Sequence, residues 1–272
     1  MKAFRKTFLP VTAAIIGLTL AFSSRAAESP SPPTANDLAS RLSALRQDGT
    51  SYVRLRMEIK GATKETLQLQ IKERRTKDSS EVVYQVLYPK ERKGESVLLR
   101  KIGNQPASGS VFVPPNTVRS FDDLKEPLFG SDLSCEDVVE NFFAWEQQAI
   151  VGTEKMNGVN CQILESKPGA GQRSIYGSVR SWIDVRRLVP LRVEKYASSG
   201  QLLRRIDTTR VVADAGHHIP ADLTVSGARP DSTTLLDGSR ISHNVAYTDS
   251  DFTIEGLKEI AAPYKSPDTL KK

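Results

Sequence analysis

The chain has 272 residues, 26% of them charged and 39% hydrophobic, with two cysteines and three histidines. These proportions suit a folded protein of one large domain or two small ones, and they exclude a disordered chain, a disulfide scaffold and a four-cysteine zinc site. The net charge of +6 falls to +2 once Lys2, Arg5, Lys6 and Arg25 are set aside, since 34 basic then face 32 acidic residues, and a nucleic-acid partner loses its main support.

Those four basic residues belong to a leader. Lys2, Arg5 and Lys6 precede an apolar stretch from Phe8 to Phe22, interrupted only by Pro10, Thr12, Gly17 and Thr19, and Ser24-Arg25-Ala26 places small residues at the −3 and −1 positions. This pattern predicts a cleaved secretory signal over residues 1–26. At about 15 residues the stretch falls short of the roughly 20 that a membrane span needs. An exported, periplasmic and soluble mature protein is expected. No cysteine follows the apolar run, so the chain is not expected to be lipid-modified itself.

Residues 27–33 read as a Pro- and Ser-rich linker, 34–260 as a single domain and 261–272 as a tail. Asn36 is positioned to cap a helix with Leu38, Leu42 and Leu45 on one face, ending near Arg46. From Ser51 the period becomes two. Val53, Leu55, Met57 and Ile59 alternate with Arg54, Arg56, Glu58 and Lys60; Leu67, Leu69 and Ile71 alternate with Gln68, Gln70 and Lys72; Val82, Tyr84, Val86 and Tyr88 continue. Such alternation predicts antiparallel strands with one apolar and one wet face. Turn signals recur at Gly61, Lys93-Gly94, Gly103-Asn104, Asn157-Gly158, Ser199-Gly200 and Asp237-Gly238, giving ten or eleven strands.

One helix is expected midway, opened by the capping-box-like Ser134-Cys135-Glu136-Asp137 and carrying Val138, Val139, Phe142, Phe143 and Trp145. Another follows Thr253 through Ile254, Leu257 and Ile260. The fold class is therefore mostly β (α+β), a large antiparallel sheet or barrel with helices packed on its concave face.

Cys135 and Cys161 lie 26 positions apart. In an oxidising compartment a bridge closing that loop contributes about 3–4 kcal/mol on the chain-entropy model. Two buried free thiols are the alternative, and the sequence leaves both open.

Chemistry is hard to find. Gly169-Ala170-Gly171 reads as a hairpin turn, and neither a Gly-x-Ser-x-Gly elbow nor a His-Glu-x-x-His helix occurs. His217-His218 lacks a third metal ligand, and His243 lies on an alternating strand as a structural histidine. Asp122, Asp123, Asp132, Glu136 and Asp137 could pair as acid and base, but helix N-termini collect acids for dipole reasons alone. No metal, cofactor or catalytic residue is assigned, and the chain does not read as an enzyme.

The middle of the chain resembles a known family. Lys93-Gly94-Glu95-Ser96-Val97-Leu98-Leu99-Arg100 leads to Val111-Phe112-Val113-Pro114 and Val118-Arg119-Ser120-Phe121. Then come Leu128-Phe129-Gly130-Ser131-Asp132-Leu133-Ser134 and Glu136-Asp137-Val138, followed by Gly158-Val159-Asn160-Cys161, Val179-Arg180-Ser181-Trp182-Ile183-Asp184 and Val189-Pro190-Leu191-Arg192-Val193-Glu194-Lys195-Tyr196. This order, from about residue 48 to 260, resembles the bacterial outer-membrane lipoprotein-sorting (LolA-like) proteins. The Phe-Gly-Ser-Asp-x-Ser-x-Glu-Asp stretch is its most specific piece. Two departures stand out: the mature chain is longer than the carrier proper, and Cys135 replaces the usual aromatic residue.

The resemblance implies a large antiparallel half-open β-barrel wrapped around helices, LolA/LolB-like, with a hydrophobic cavity for lipoprotein or other lipid acyl chains. It implies no cofactor and no nucleic acid, with an inner-membrane transporter as donor and an outer-membrane acceptor. Each acyl CH₂ exposed to water costs about 0.8 kcal/mol, so acyl chains need shielding to cross the periplasm. Val53, Leu55, Met57, Ile59, Leu67, Leu69 and Ile71 are the candidate inner wall, and Phe142, Phe143 and Trp145 the candidate lid. For any single one of them ordinary core is the stronger reading, and the set is a better candidate than its members. A carrier is the first reading, a sensory or regulatory module of the cell envelope on the same fold the second, and an exported hydrolase a distant third.

Overall fold

The thirteen strands of the described residues pair in one continuous antiparallel sheet. The computed structural model describes residues 33–258 apart from 47–48, 104, 122, 228 and 230. The expected leader, nearly all of the linker, the tail, Asp122 and Ile260 lie outside the described residues. In chain order the strands are β1 (Thr50–Lys60), β2 (Lys64–Arg75), β3 (Ser79–Tyr88), β4 (Ser96–Ile102), β5 (Ser108–Val113), β6 (Thr117–Phe121), β7 (Gln147–Met156), β8 (Val159–Lys167), β9 (Ser178–Asp184), β10 (Val189–Tyr196), β11 (Leu202–Asp214), β12 (His217–Ser226) and β13 (Thr233–His243). The helices are α1 (Ala35–Arg46), α2 (Cys135–Val139) and α3 (Ile254–Lys258).

Two or three more strands form than the ten or eleven that the turn spacing predicts. The edge strands β6 and β7 are mostly exposed on both faces and so lack the apolar alternation that reveals the others.

The spatial order is β6-β5-β4-β3-β2-β1-β13-β12-β11-β10-β9-β8-β7. Strands β1 to β6 step outward as hairpins in one direction, and β7 to β13 step inward until β13 pairs with β1. Of the expected half-open barrel the structure shows one large open antiparallel sheet, since β6 and β7 are its two edges and the order does not close on itself. A twisted sheet of more than about ten strands curls rather than staying flat. The chain between β6 and β7 must travel from one edge of the sheet to the other, and it does so across the inner face.

Register places the predicted alternation on that face. Val53 pairs with Ile71, Leu55 with Leu69 and Met57 with Leu67, so these side chains share one side of the sheet. Tyr84, Val86, Val97 and Leu99 extend the same surface, and Val225 and Leu236 continue it on the far side of β1. The opposite face is covered over β2 to β5 by the C-terminal segment, where Phe252 and Leu257 pack on Val83, Leu98 and Phe112. There Lys72 bonds Asp251 at 2.8 Å, and Gln85 donates to the Leu257 carbonyl at 3.1 Å.

Helix α1 forms as expected, but Thr34 caps it rather than Asn36. The Thr34 hydroxyl accepts from the Asp37 N–H at 3.2 Å, and the Asp37 carboxylate accepts from the Thr34 N–H at 3.3 Å. Leu38 and Leu42 then pack on Leu164 and Ile183 of the sheet. The helix expected midway is broken. Helix α2 ends at Val139, and Phe142–Ala144 form a separate 3-10 turn, because Glu140 turns extended (φ −79°, ψ 140°).

Candidate functional site

The inner face and the segment that crosses it are the feature from which a function can be built. Met57, Ile59, Leu67, Leu69 and Ile71 are buried in one apolar cluster, and the half-buried Val53 and Leu55 pack against it. The structure therefore brings all seven candidate wall residues together. They face not open space but the crossing segment, whose Leu128, Leu133, Cys135 and Val139 belong to the same cluster.

The candidate lid residues do not act together. Phe142 and Trp145 meet edge-on at 5.1 Å and pack with Tyr176 and Val179, whereas Phe143 turns to the α1 cluster.

The most specific sequence motif is what anchors this cover. Phe129 and Gly130 both adopt left-handed backbone (φ 52° and 80°), a turn that glycine makes without a Cβ clash. The reversal directs Asp132 into the sheet. There its N–H donates to the Thr234 hydroxyl at 2.9 Å, and its carboxylate accepts from Thr234 at 2.8 Å and Ser232 at 2.9 Å. Ser134 and Asp137 then form the capping box of α2.

Asp137 is fully buried and carries the strongest anchor. It bonds Lys195, accepts from Arg204 at 2.5 Å, and accepts from the Tyr176 hydroxyl at 2.7 Å. Burial pushes its carboxyl up, but Lys195 and Arg204 together outweigh burial and hold it below the usual range. Burial also lowers the Lys195 ammonium against the opposing pull of Asp137. Glu136 bonds Ser174 and accepts from the Ile175 N–H at 3.0 Å; burial raises its carboxyl despite those bonds. The acidic residues near Ser134 are thus buried anchors, which the helix-dipole explanation alone does not account for.

Lys195, Arg204 and Tyr176 were missed at the sequence level. The signal was present: Lys195 shares strand parity with Val193, and Arg204 with Ile206, so both sit where the inward apolar residue belongs.

A third anchor lies at the rim, where Arg75 donates to the Val138 carbonyl at 3.1 Å and Arg46 to the Glu140 carbonyl at 2.6 Å. The Glu140 carboxylate accepts from Lys101 at 2.5 Å and from the Trp145 indole at 3.1 Å. These groups border a pocket of about 170 Å³. A second, larger pocket of about 390 Å³ carries Glu146, Glu165 and Lys167.

Both thiols are free and buried. Cys135 packs in the inner-face cluster, while Cys161, opposite in strand parity to Leu164, packs with Trp182, Val189 and Leu191 on the outer face. Burial pushes the Cys135 thiol up to about 12. Among the described residues no group of three or more His, Cys, Asp or Glu is placed to hold a metal. His217 opens β12, and His243 ends β13 with its ring 2.5 Å from Asp214. No helix of the described residues is long and apolar enough to cross a membrane.

Three solved structures share this fold. A DUF1329 family protein from Desulfovibrio piger superposes with a TM-score of 0.76 at 23% identity, over 82% of this chain and 97% of that one. A domain from Vibrio parahaemolyticus described as outer membrane lipoprotein-sorting gives 0.74 at 20%, over 83% and 98%. A LolA superfamily protein from Nitrosomonas europaea gives 0.67 at 18%, over 83% and 100%. At these identities the likeness is one of fold. No curated protein matches the chain. A family model described as that of an uncharacterized protein matches residues 78–259, about two thirds of the chain.

Proposed function

The chain belongs to the uncharacterized-protein family whose model spans residues 78–259, and from that premise we propose that it is an exported, periplasmic, non-enzymatic carrier of acyl chains. Its cargo would be lipoproteins or other acylated lipids passed toward the outer membrane, taken from an inner-membrane transporter and given to an outer-membrane acceptor. The wall would be Val53, Leu55, Met57, Ile59, Leu67, Leu69 and Ile71. Phe142, Phe143 and Trp145 would mark the end of the cover at which opening begins. The LolA-superfamily and lipoprotein-sorting neighbours support this reading through their fold.

One observation carries it. The apolar inner face is covered by a segment tied down at three polar points, Asp132, Asp137 and the Arg46–Arg75 rim, rather than by another layer of sheet or a long helix. Such a cover competes with an acyl chain for the same surface. Replacing Leu128, Leu133 and Val139 by methylenes exchanges one buried apolar surface for another, so the hydrophobic term nearly cancels and binding stays reversible. A core closed by a second sheet would have no such exchange available.

The test is to express the full chain with its leader in a Gram-negative host, purify it from the periplasm and record a native mass spectrum. A mass excess that organic extraction removes, identified as phospholipid or an acylated peptide, is the expected result. A clean protein mass, with no uptake of added acylated probes, refutes the carrier reading.

A further inference from the structure

Resting on that carrier reading, we infer that the 170 Å³ rim pocket is an anion site for the phosphate of an amphiphile whose tail lies along the inner face. The pocket sits where the β2–β3 and β4–β5 turns meet the end of α1 and the crossing segment. Val139 both lines it and belongs to the inner apolar cluster, so a charged head in the pocket and an apolar tail on the wall are contiguous.

The charges on its walls select the sign of the ligand. Arg46, Arg75, Lys77 and Lys101 line it against two acids, Asp78 and Glu140. Lys101 is committed to Glu140 at 2.5 Å, and Arg75 to Glu73 at 3.3 Å and Ser80 at 2.6 Å. Arg46 is not so committed. Among the described residues it spends one of its five N–H donors, on the Glu140 carbonyl, and forms no ion pair. Burial, reinforced by the neighbouring Arg75 guanidinium, pulls Arg46 down to about 10 against the smaller opposing pull of the Glu73 and Glu140 carboxylates. A phosphate accepting from the open fork of Arg46 would relieve both causes at once, since guanidinium and phosphate match in bidentate geometry. At a liquid volume of about 30 Å³ per water, the pocket has room for a phosphate and part of what it is attached to. The 390 Å³ pocket is larger but carries Glu146 and Glu165 against Lys167, and offers an anion nothing comparable.

The experiment compares three probes on the purified chain by titration calorimetry: lyso-phosphatidylglycerol, a monoacylglycerol of the same tail, and glycerol 3-phosphate. The phosphate-bearing lipid is expected to bind at least tenfold tighter than the neutral one. Arg46→Gln also removes a rim anchor of the cover, so both lipids can gain affinity together, but the ratio between them should fall below threefold. Gln172→Glu lines the same pocket and keeps a carboxyl oxygen for the Gly169 N–H, so it adds a negative charge without removing that bond and should erase the preference too. It stands in if Arg46→Gln melts early. Equal binding of both lipids, or a preference that survives both variants, overturns the anion site while sparing the carrier reading. Binding of glycerol 3-phosphate alone, with neither lipid bound, overturns the amphiphile and the carrier together and leaves a site for free phosphate esters. No binding of any probe overturns both.

Discussion

Replacing Asp137 by asparagine keeps the shape of the side chain and removes the one carboxylate that Lys195 and Arg204 share. Removing one partner of a buried pair costs about 3–5 kcal/mol, because the cation left behind is desolvated and unpaired. Here two cations are left, with side-chain exposures of 2% and 10% against 0% for Asp137 itself. The asparagine oxygen still accepts one donor, returning about 1 kcal/mol. The net expectation is a loss of about 3 kcal/mol. With a urea dependence of roughly 3 kcal/mol per molar, the midpoint should fall by about 1 M.

The pH dependence supplies a second reading. Lys195 and Arg204 hold the Asp137 carboxyl below its unfolded value near 3.9, so its contribution is complete above that pH and is lost as pH falls through the lower folded value. The gap between wild type and Asp137→Asn should therefore be constant at neutral pH and narrow in acid. Hydrogen exchange should show protection lost first over residues 123–145, the segment the anchor holds. A midpoint shift below about 0.3 M, or a gap that does not narrow in acid, would refute the assignment of Asp137 as the main anchor.

Three further outcomes follow from the same packing. Leu133→Ala in the cover should destabilise the apo protein by about 2–4 kcal/mol and, by weakening the competitor, raise acyl-probe affinity about tenfold; an affinity that falls instead would place Leu133 in the binding wall. A Cβ added at Gly109 would stand 2.2 Å from the Phe121 ring, so Gly109→Ala should cost about 1–3 kcal/mol in thermal unfolding, and an unchanged midpoint would remove that contact from the account. Both thiols are free, so iodoacetamide under denaturing, non-reducing conditions should add two labels, while native protein at pH 8 should leave Cys135 unlabelled because its thiol is pushed to about 12. A label on native Cys135 would mean that the cover opens readily.

Much of the sheet was legible because strand alternation is a local property. Val53 to Ile59 and Leu67 to Ile71 announce their shared face through period two, and a hairpin with Gly61 at its turn brings them into register. The Phe129–Asp137 motif was legible as important but not as an anchor, since its partners Lys195, Arg204 and Thr234 lie 58, 67 and 102 positions away. Edge strands β6 and β7 were hard to read because neither face is buried enough to impose a pattern. The broken midway helix was misread because Phe142 and Trp145 fall at a spacing that suits a helix, and nothing local marks the extended backbone at Glu140.

The sequence by itself determined the two-sided strands, the hairpin order and the capping box of α2, because each depends on residues within a few positions of one another. Only the tertiary structure decided that β13 closes on β1, which sends β6 and β7 to opposite edges and forces the chain between them across the inner face. That single non-local pairing turns an ordinary connection into a cover over an apolar surface. It also separates Cys135 from Cys161 onto opposite faces of the sheet and gathers Arg46, Arg75 and Lys101 around one pocket. Pairing between chain ends is governed by loop-closure entropy and by the burial it gains, and no short window of residues encodes either.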